Sequence, residues 1–375
     1  MHRLGLLHRL VQSYPKLYTR RWGIPDTKVA SILSVGIAAR LVNRLPHSLQ
    51  QRLMPSLHDA FSRRLARYVP ADSDVLIGLS SFCLEAIQQA GSMGVATIVD
   101  HGSLHQRTES RLLTEELQRL GLPDASPGTS QWIIDKEDRE FQAADRVMVL
   151  SAAAKRSLVE EGISANKIFV NACGVDLSCF KPHPRSDDVF RVVFCGAITP
   201  RKGIHDLMRA FSELRMPKAE LWVVGGSTDH AYRHALERFA GPGVRFLGTF
   251  PQAGLASIYS QGSVFVLPSI ADGFGMVVTQ ALACGLPAIV SANVGAADVV
   301  REGENGFVIP IRDVDALKER LERLYRDPAL RHHMSQTAER DADKRLSWNA
   351  YGERLASFLQ TVVQSTRQPG ITGSN

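Results

Sequence analysis

The stretch FRVVFCGAITPRKGIHDLMRAFSELRMPKAELWVVGG, residues 190–226, reads as an apolar strand (190–196), a helix (203–214) and a second apolar strand (219–226). Short apolar runs without alternation suit strands covered on both faces, and a helix between two of them is the repeating unit of a parallel sheet. The unit recurs downstream. Strands are expected at 244–248, 263–269, 287–291 and 306–310, and helices at 231–239, 253–260, 276–283, 296–302 and 314–326, with a closing helical segment around 348–362.

Upstream the alternation is the same. Strands are expected at 74–80, 95–100, 146–151 and 167–170, with helices at 82–90, 104–120, 132–144 and 153–161. The turn-rich stretch NACGVDLSCFKPHPRSDD (171–188) separates the two series and reads as a linker. The expectation is an α/β chain of two Rossmann-like parallel-sheet domains, with the cleft between them as the default ligand site. Residues 1–182 form the first domain, 183–346 the second, and 347–375 a C-terminal helix returning to the first domain plus a tail. The opening seventy residues resist assignment, because Pro15, Pro25, Pro46, Pro55 and Pro70 divide them into short pieces.

The 375 residues, 44% hydrophobic and 22% charged, supply enough apolar material for two cores and exclude a disordered chain. Five cysteines (Cys83, Cys173, Cys179, Cys195 and Cys284) contain no CxxC pair. They speak for buried thiols in a reducing compartment and against structural zinc. The longest apolar run, 29–39, is too short for the ~20 residues of a spanning helix and is not placed like a secretion signal. A cytoplasmic protein is expected.

Charge is unevenly placed. Residues 1–70 hold twelve Lys or Arg against Asp26 and Asp59, while the whole chain carries +6, so a basic end sits on a slightly acidic body. An anionic membrane surface on the inner face and a plain solvated basic surface are both compatible with this. Nucleic acid is disfavoured, because no aromatic interleaving, zinc-finger or helicase-like motif accompanies the charge.

Polar residues just after strand ends converge on the ligand edge of such sheets. His101 follows the strand ending at Asp100, where an imidazole can donate to a sugar hydroxyl or phosphate or simply cap a helix. In ITPRKG (198–203), Arg201 and Lys202 stand before a helix start, a place where both could hold a diphosphate. Gly225 and Gly226 close another strand. SIADGFGMVVTQALACG (269–285) sets Asp272 before Gly273, Phe274 and Gly275, then Met276 and, one turn into the helix, Gln280. Glycines there let a ligand approach the backbone and the open N–H groups of the helix start. The absence of G-x-G-x-x-G after the first recognisable strand, of a P-loop and of G-x-S-x-G removes the main support for nicotinamide, P-loop and serine-hydrolase chemistry.

Six pieces, in this order, carry a family resemblance: ACGVDLSCFKP (172–182), VVFCGAITPRKGIHDLMRAF (192–211), LWVVGG (221–226), VRFLGTFPQAGLASIYSQGSVFVLPS (244–269), DGFGMVVTQALACGLPAIVS (272–291) and GAADVVREGENGFVIP (295–310). They resemble the retaining, nucleotide-sugar-dependent glycosyltransferases of GT-B architecture, family 4. The resemblance implies an acceptor-side first domain and a second domain that binds a nucleoside-diphosphate sugar, in UDP or GDP form, with no metal and no further cofactor. It implies that Lys202, aided by Arg201, holds the diphosphate and that His101 lies near the transferred sugar. Asp272 then contacts that sugar with the backbone of Gly273 to Gly275, and Gln280 grips the ribose.

Three features depart from the family pattern. Ala197 replaces a common arginine, Asp272 and Gln280 replace paired glutamates, and MHRLGLLHRLVQ lacks the usual opening strand and glycine-rich loop. The last departure implies either a reduced first domain or a start downstream of that strand. The expected activity is retaining transfer of a sugar to a hydroxyl of a glycan or lipid-linked acceptor. The alternatives are an inactive sugar-nucleotide-binding scaffold at the membrane and a sugar-nucleotide epimerase.

Overall fold

The computed structural model describes residues 1, 4–20, 22–122, 129–227 and 230–367. A short parallel pair opens the chain, β1 (Leu10–Gln12) beside β2 (Val29–Ser31). Four strands then pair in sequence order: β3 (Val75–Leu79), β4 (Ala96–His101), β5 (Arg146–Val149) and β6 (Ile168–Val170). Six more form the second sheet: β7 (Phe190–Cys195), β8 (Ala219–Val224), β9 (Val244–Gly248), β10 (Val264–Leu267), β11 (Ala288–Ser291) and β12 (Gly306–Ile309). Their spatial order is β12-β11-β10-β7-β8-β9, and every pairing described in both larger sheets is parallel. The fold is therefore two Rossmann-like domains facing each other, the GT-B arrangement.

Burial explains why these segments are strands. Every residue of β7, β10 and β11 is buried, so each apolar side chain finds a covering helix on one face or the other. The helix Ile204–Leu214 buries Ile204, Leu207, Met208, Ala210 and Phe211 in the same core and leaves Arg209 and Glu213 paired outside. The helix Met276–Ala283 buries Ala281, Leu282 and Ala283, as a short element wedged between sheet and neighbouring helices must. Truncating a side chain such as Phe265, fully buried, would cost on the order of 3–5 kcal/mol.

Several expectations change. The proline-rich opening contains a continuous helix, His47–Ala66, with Pro55 inside it. The packing of this helix on its neighbours outweighs the lost backbone bond. The strands β1 and β2 are three residues each, too short for a periodic signal. The helix Pro328–Arg345 was not anticipated, although Asp327 caps it by accepting from the Leu330 N–H and Pro328 occupies its first position. The helix expected at 296–302 is a tight 3-10 turn, Gly295–Val299. Of the cysteines, Cys83, Cys195 and Cys284 are buried but Cys179 is exposed, because the 171–188 segment runs over the surface.

The helix Trp348–Arg367 lies on the first sheet. Leu355, Leu359 and Val362 pack on Ala96, Ile98 and Met148, and Phe358 stacks on Phe169 with centroids 3.9 Å apart. The tail beyond it falls outside the described residues.

Candidate active site

The cation loop forms because Gly196 follows the end of β7 and the chain turns at Pro200 into a single 3-10 turn, Pro200–Lys202. Gly203 then has φ +66°, and a Cβ there would stand 2.1 Å from the Pro268 carbonyl oxygen. Only glycine fits, and its close approach ties this loop to the segment after β10. Two further bonds tie the same loops: the Ile270 N–H donates to the Arg201 carbonyl at 2.8 Å, and Arg201 Nη1 donates to the Ala271 carbonyl at 2.8 Å.

Lys202 and Asp272, seventy residues apart in sequence, meet directly as an ion pair, Nζ to Oδ2, with each side chain only slightly exposed. Asp272 is held in place by its own backbone, its N–H donating to the Asn293 carbonyl and its carbonyl accepting from the Gly295 N–H. Arg201 has a second partner across the domain boundary. Its Nε lies 3.6 Å from the Glu109 carboxylate, in the first turn of the helix Gln106–Leu120. Burial raises the Glu109 carboxyl from its ordinary value, opposed by Arg201 and Lys202 and reinforced by Asp272 and Glu137.

Gly273 is one point of close contact between the domains. A Cβ would lie 2.0 Å from the Gly102 carbonyl oxygen, and the Gly273 carbonyl accepts from Ser151 Oγ at 2.9 Å. Gly275, at φ +81°, precedes the helix Met276–Ala283, and the Met276 side chain is exposed. Phe274 behaves differently from the expected ligand contact: it is buried in the second-domain core, so only its backbone is available. Gln280 is also largely buried and accepts from the Tyr259 hydroxyl at 3.4 Å. Gly225 (φ +142°) abuts the Gly196 carbonyl at the end of β8, and Gly226 lies beside Thr249.

His101, the last residue of β4, is buried among first-domain residues, with Phe141 edge-on to its ring. Its Nδ1 lies 2.9 Å from Ser80 Oγ and its Nε2 lies 3.2 Å from the Leu104 carbonyl. Because a carbonyl only accepts, the network assigns the proton to Nε2, with Nδ1 accepting from Ser80. Burial lowers its pKa, with the Glu137 charge working the other way, so the neutral ring prevails.

Sequence reasoning missed the first-domain carboxylates around this imidazole. Glu140 accepts the N–H groups of Ser81, Cys83 and Leu84, yet burial pushes its carboxyl up to about 7. Glu137 accepts from Ser81 Oγ at 2.6 Å, and its other oxygen is buried without a hydrogen-bond partner. Both lie on the helix Gln131–Ala143, which from sequence was only a covering helix of the first sheet. Glu109 carried one faint signal, an acid six residues after the HGS turn.

A second buried network joins the domains. Glu116 accepts from Arg119 Nη2 at 2.7 Å, His205 Nε2 at 2.7 Å and Arg312 Nε at 2.7 Å, and Arg119 also reaches Asp206. Among the described residues Glu116, His205 and Asp206 are the one group with metal-ligand spacing. Two guanidinium groups already neutralise their carboxylates, and a cation would have to displace them.

Residues 178–341 match the family model "Glycosyl transferases group 1". A D-inositol 3-phosphate glycosyltransferase of Kribbella flavida is 29% identical over 61% of this chain and 59% of its own length. The chain thus spans under two thirds of that relative. Among solved structures, sucrose-phosphate synthase from Thermosynechococcus elongatus superimposes with a TM-score of 0.67 at 22% identity, covering 86% of this chain and 81% of that one. HepE from Anabaena, solved in complex with UDP-glucose, gives 0.62 at 17% identity over 87% of this chain and 94% of that one. Residues 178–341 are therefore similar to the group 1 glycosyltransferase model, within a chain that has the two-domain GT-B fold.

Proposed function

We propose that the protein is a retaining glycosyltransferase of family 4 type, moving a sugar from a nucleoside-diphosphate donor, in UDP or GDP form, to a hydroxyl of a glycan or lipid-linked acceptor. The observation that carries this reading is the Lys202–Asp272 pair, seated on strand-end loops of the second domain where Gly273 meets Gly102 beside His101. A cation matched to a carboxylate at the ligand edge of a parallel sheet suits a diphosphate that takes over the cation. Asp272 is then released to accept a hydroxyl of the donor sugar. The family match and the relative's printed name support the same direction.

In the proposed reaction the acceptor oxygen bonds to the anomeric carbon on the face from which the diphosphate leaves. The acceptor proton passes to the departing phosphate oxygen, so no second carboxylate is needed as nucleophile. Lys202, Arg201 and the first N–H groups of the helices that start at Ile204 and Met276 stabilise the charge that develops on the diphosphate. His101, neutral with its Nε2 proton held by the Leu104 carbonyl, would donate to the sugar or phosphate only by exchanging that carbonyl for the ligand. Contacts between the domains exclude water, which limits donor hydrolysis.

The reading extends to a cytoplasmic protein resting on an anionic membrane. Leu33, Ile37 and Leu41 are exposed along one face of the helix Leu33–Val42, and Arg40 and Arg44 lie beside them. That pairing of apolar and basic groups suits an interfacial helix.

Calorimetry with UDP-, GDP- and ADP-sugars, followed by turnover with a membrane extract, tests the function. Transfer by the wild-type protein and its loss by about 100-fold or more in Lys202→Ala, with the fold intact, is expected from removal of a charge-assisted contact. Undiminished transfer in that variant would refute the diphosphate assignment. Donor binding without transfer or hydrolysis would instead favour a binding scaffold.

A further inference from the structure

Among the described residues four that are not glycine have positive φ: Ser81, Arg215, Lys218 and Arg312. Ser81, at φ +71°, alone of the four is buried. It stands third in the turn Leu79–Phe82, which the Phe82 N–H closes on the Leu79 carbonyl at 3.2 Å. A left-handed conformation at that place favours glycine, and another residue keeps it only where its surroundings impose it.

All three polar groups of Ser81 are bound by side chains from two helices. Glu140 on the helix Gln131–Ala143 accepts its N–H, and Glu137, one turn earlier, accepts its hydroxyl at 2.6 Å. His58 on the helix His47–Ala66 donates to its carbonyl at 3.1 Å. Glu140 also accepts the N–H groups of Cys83 and Leu84, so the chain after Ser81 is fixed as well. Bonds to a carboxylate are roughly twice as strong as neutral ones, and they offset the strain. Ser80, second in the same turn, donates its N–H to the Asp100 carbonyl at 3.1 Å and sets its Oγ 2.9 Å from His101 Nδ1. With the following chain fixed, a change of φ at Ser81 would rotate the peptide that joins it to Ser80 and carry that hydroxyl off the ring.

We propose that Ser81, gripped by Glu137 and Glu140, is a positioning residue for His101: its strained backbone keeps the Ser80 hydroxyl on Nδ1 and so reserves Nε2 as the donor side of the ring. The part His101 plays in transfer rests on the function proposed above, whereas the latch between Ser81 and the ring does not. Once a ligand takes the place of the Leu104 carbonyl, a ring without Ser80 can carry its proton on either nitrogen. With Ser80 donating to Nδ1, the proton stays on Nε2.

Nitrogen-15 NMR of ring-labelled histidine in the full chain tests the latch without a transfer assay. The chain has twelve histidines, and the signal lost in His101→Gln marks this one. Ser80→Ala removes the bond to Nδ1 and supplies the reference displacement of that resonance. Ser81→Ala keeps the left-handed penalty but loses the grip of Glu137, and should reproduce the Ser80→Ala displacement. Ser81→Gly loses the same grip without the penalty, and should leave Nδ1 at its wild-type position. A purely structural role makes Ala and Gly act alike, so equal displacement in both, or in neither, overturns the proposal. Should Ser81→Ala not fold, Glu137→Gln decides in its place: the neutral acceptor should move Nδ1 part of the way, and no movement overturns the proposal. In the transfer assay Ser81→Ala should lower kcat about tenfold with donor KM unchanged, and should have no further effect in a His101→Gln background. An additive loss in that background overturns the coupling to His101. Absence of transfer from every donor would refute the proposed function and leave the NMR comparison to decide the latch.

Discussion

Replacing Glu116 by Gln isolates the energy of the buried network between the domains. The Glu116 carboxylate is fully buried, and His205, Arg119 and Arg312 hold its pKa down to about 2 against the opposing effect of burial. Relative to an ordinary glutamate at 4.5, a shift of roughly 2.5 units corresponds to about 3 kcal/mol in favour of the folded state. Because the folded pKa is depressed, that stability is fully present above pH 4.5 and is lost as pH falls toward 2. About 2 of the 3 kcal/mol should be gone by pH 3. Gln keeps the shape and one acceptor but removes the charge, leaving Arg119 to Asp206 and Arg312 to Glu115. Urea unfolding of both proteins between pH 7 and pH 3 gives the difference directly. It should shrink from about 3 to about 1 kcal/mol as the wild type protonates. A difference that stays constant with pH, or one below about 0.5 kcal/mol at pH 7, would show that the network contributes no net charge stabilisation.

Glu109→Gln removes a carboxylate that competes for Arg201 across the domain boundary. Nucleoside-diphosphate affinity should rise about fivefold, the equivalent of roughly 1 kcal/mol, and weaker binding by calorimetry would contradict the competition. Gly273→Ala places a Cβ against the Gly102 carbonyl, so the domains cannot close. Transfer should drop more than about tenfold while the melting curve of each domain survives, and unchanged kcat would show that closure tolerates the methyl group. Ile37→Asp on the exposed apolar stripe should abolish retention on vesicles rich in anionic lipid at low salt. Equal retention of variant and wild type would remove the membrane reading.

The alternation of apolar runs and helical segments determined most of the architecture. A strand covered on both faces, such as 190–195, is apolar at nearly every position, and its short length between turn residues sets it apart from a buried helix. The glycines at 273 and 275 were legible as positions where the backbone needs freedom, but the neighbour they were read to admit was a ligand, whereas Gly273 meets the Gly102 carbonyl and Gly275 has φ +81°. The opening of the chain was not, because three-residue strands carry no period and Pro55 disguises a helix that packing maintains. Site chemistry divides along the same line. The sequence placed Lys202 and Asp272 on strand-end loops, but only the tertiary structure brought them into one ion pair, turned Phe274 into the core and set Glu109 opposite Arg201. Local sequence encodes which segment a residue stands on. Which charges meet depends on how strand-end loops converge within one sheet, as for Lys202 and Asp272, and on how the two sheets dock, as for Arg201 and Glu109, and both are decided by contacts between residues tens to hundreds of positions apart.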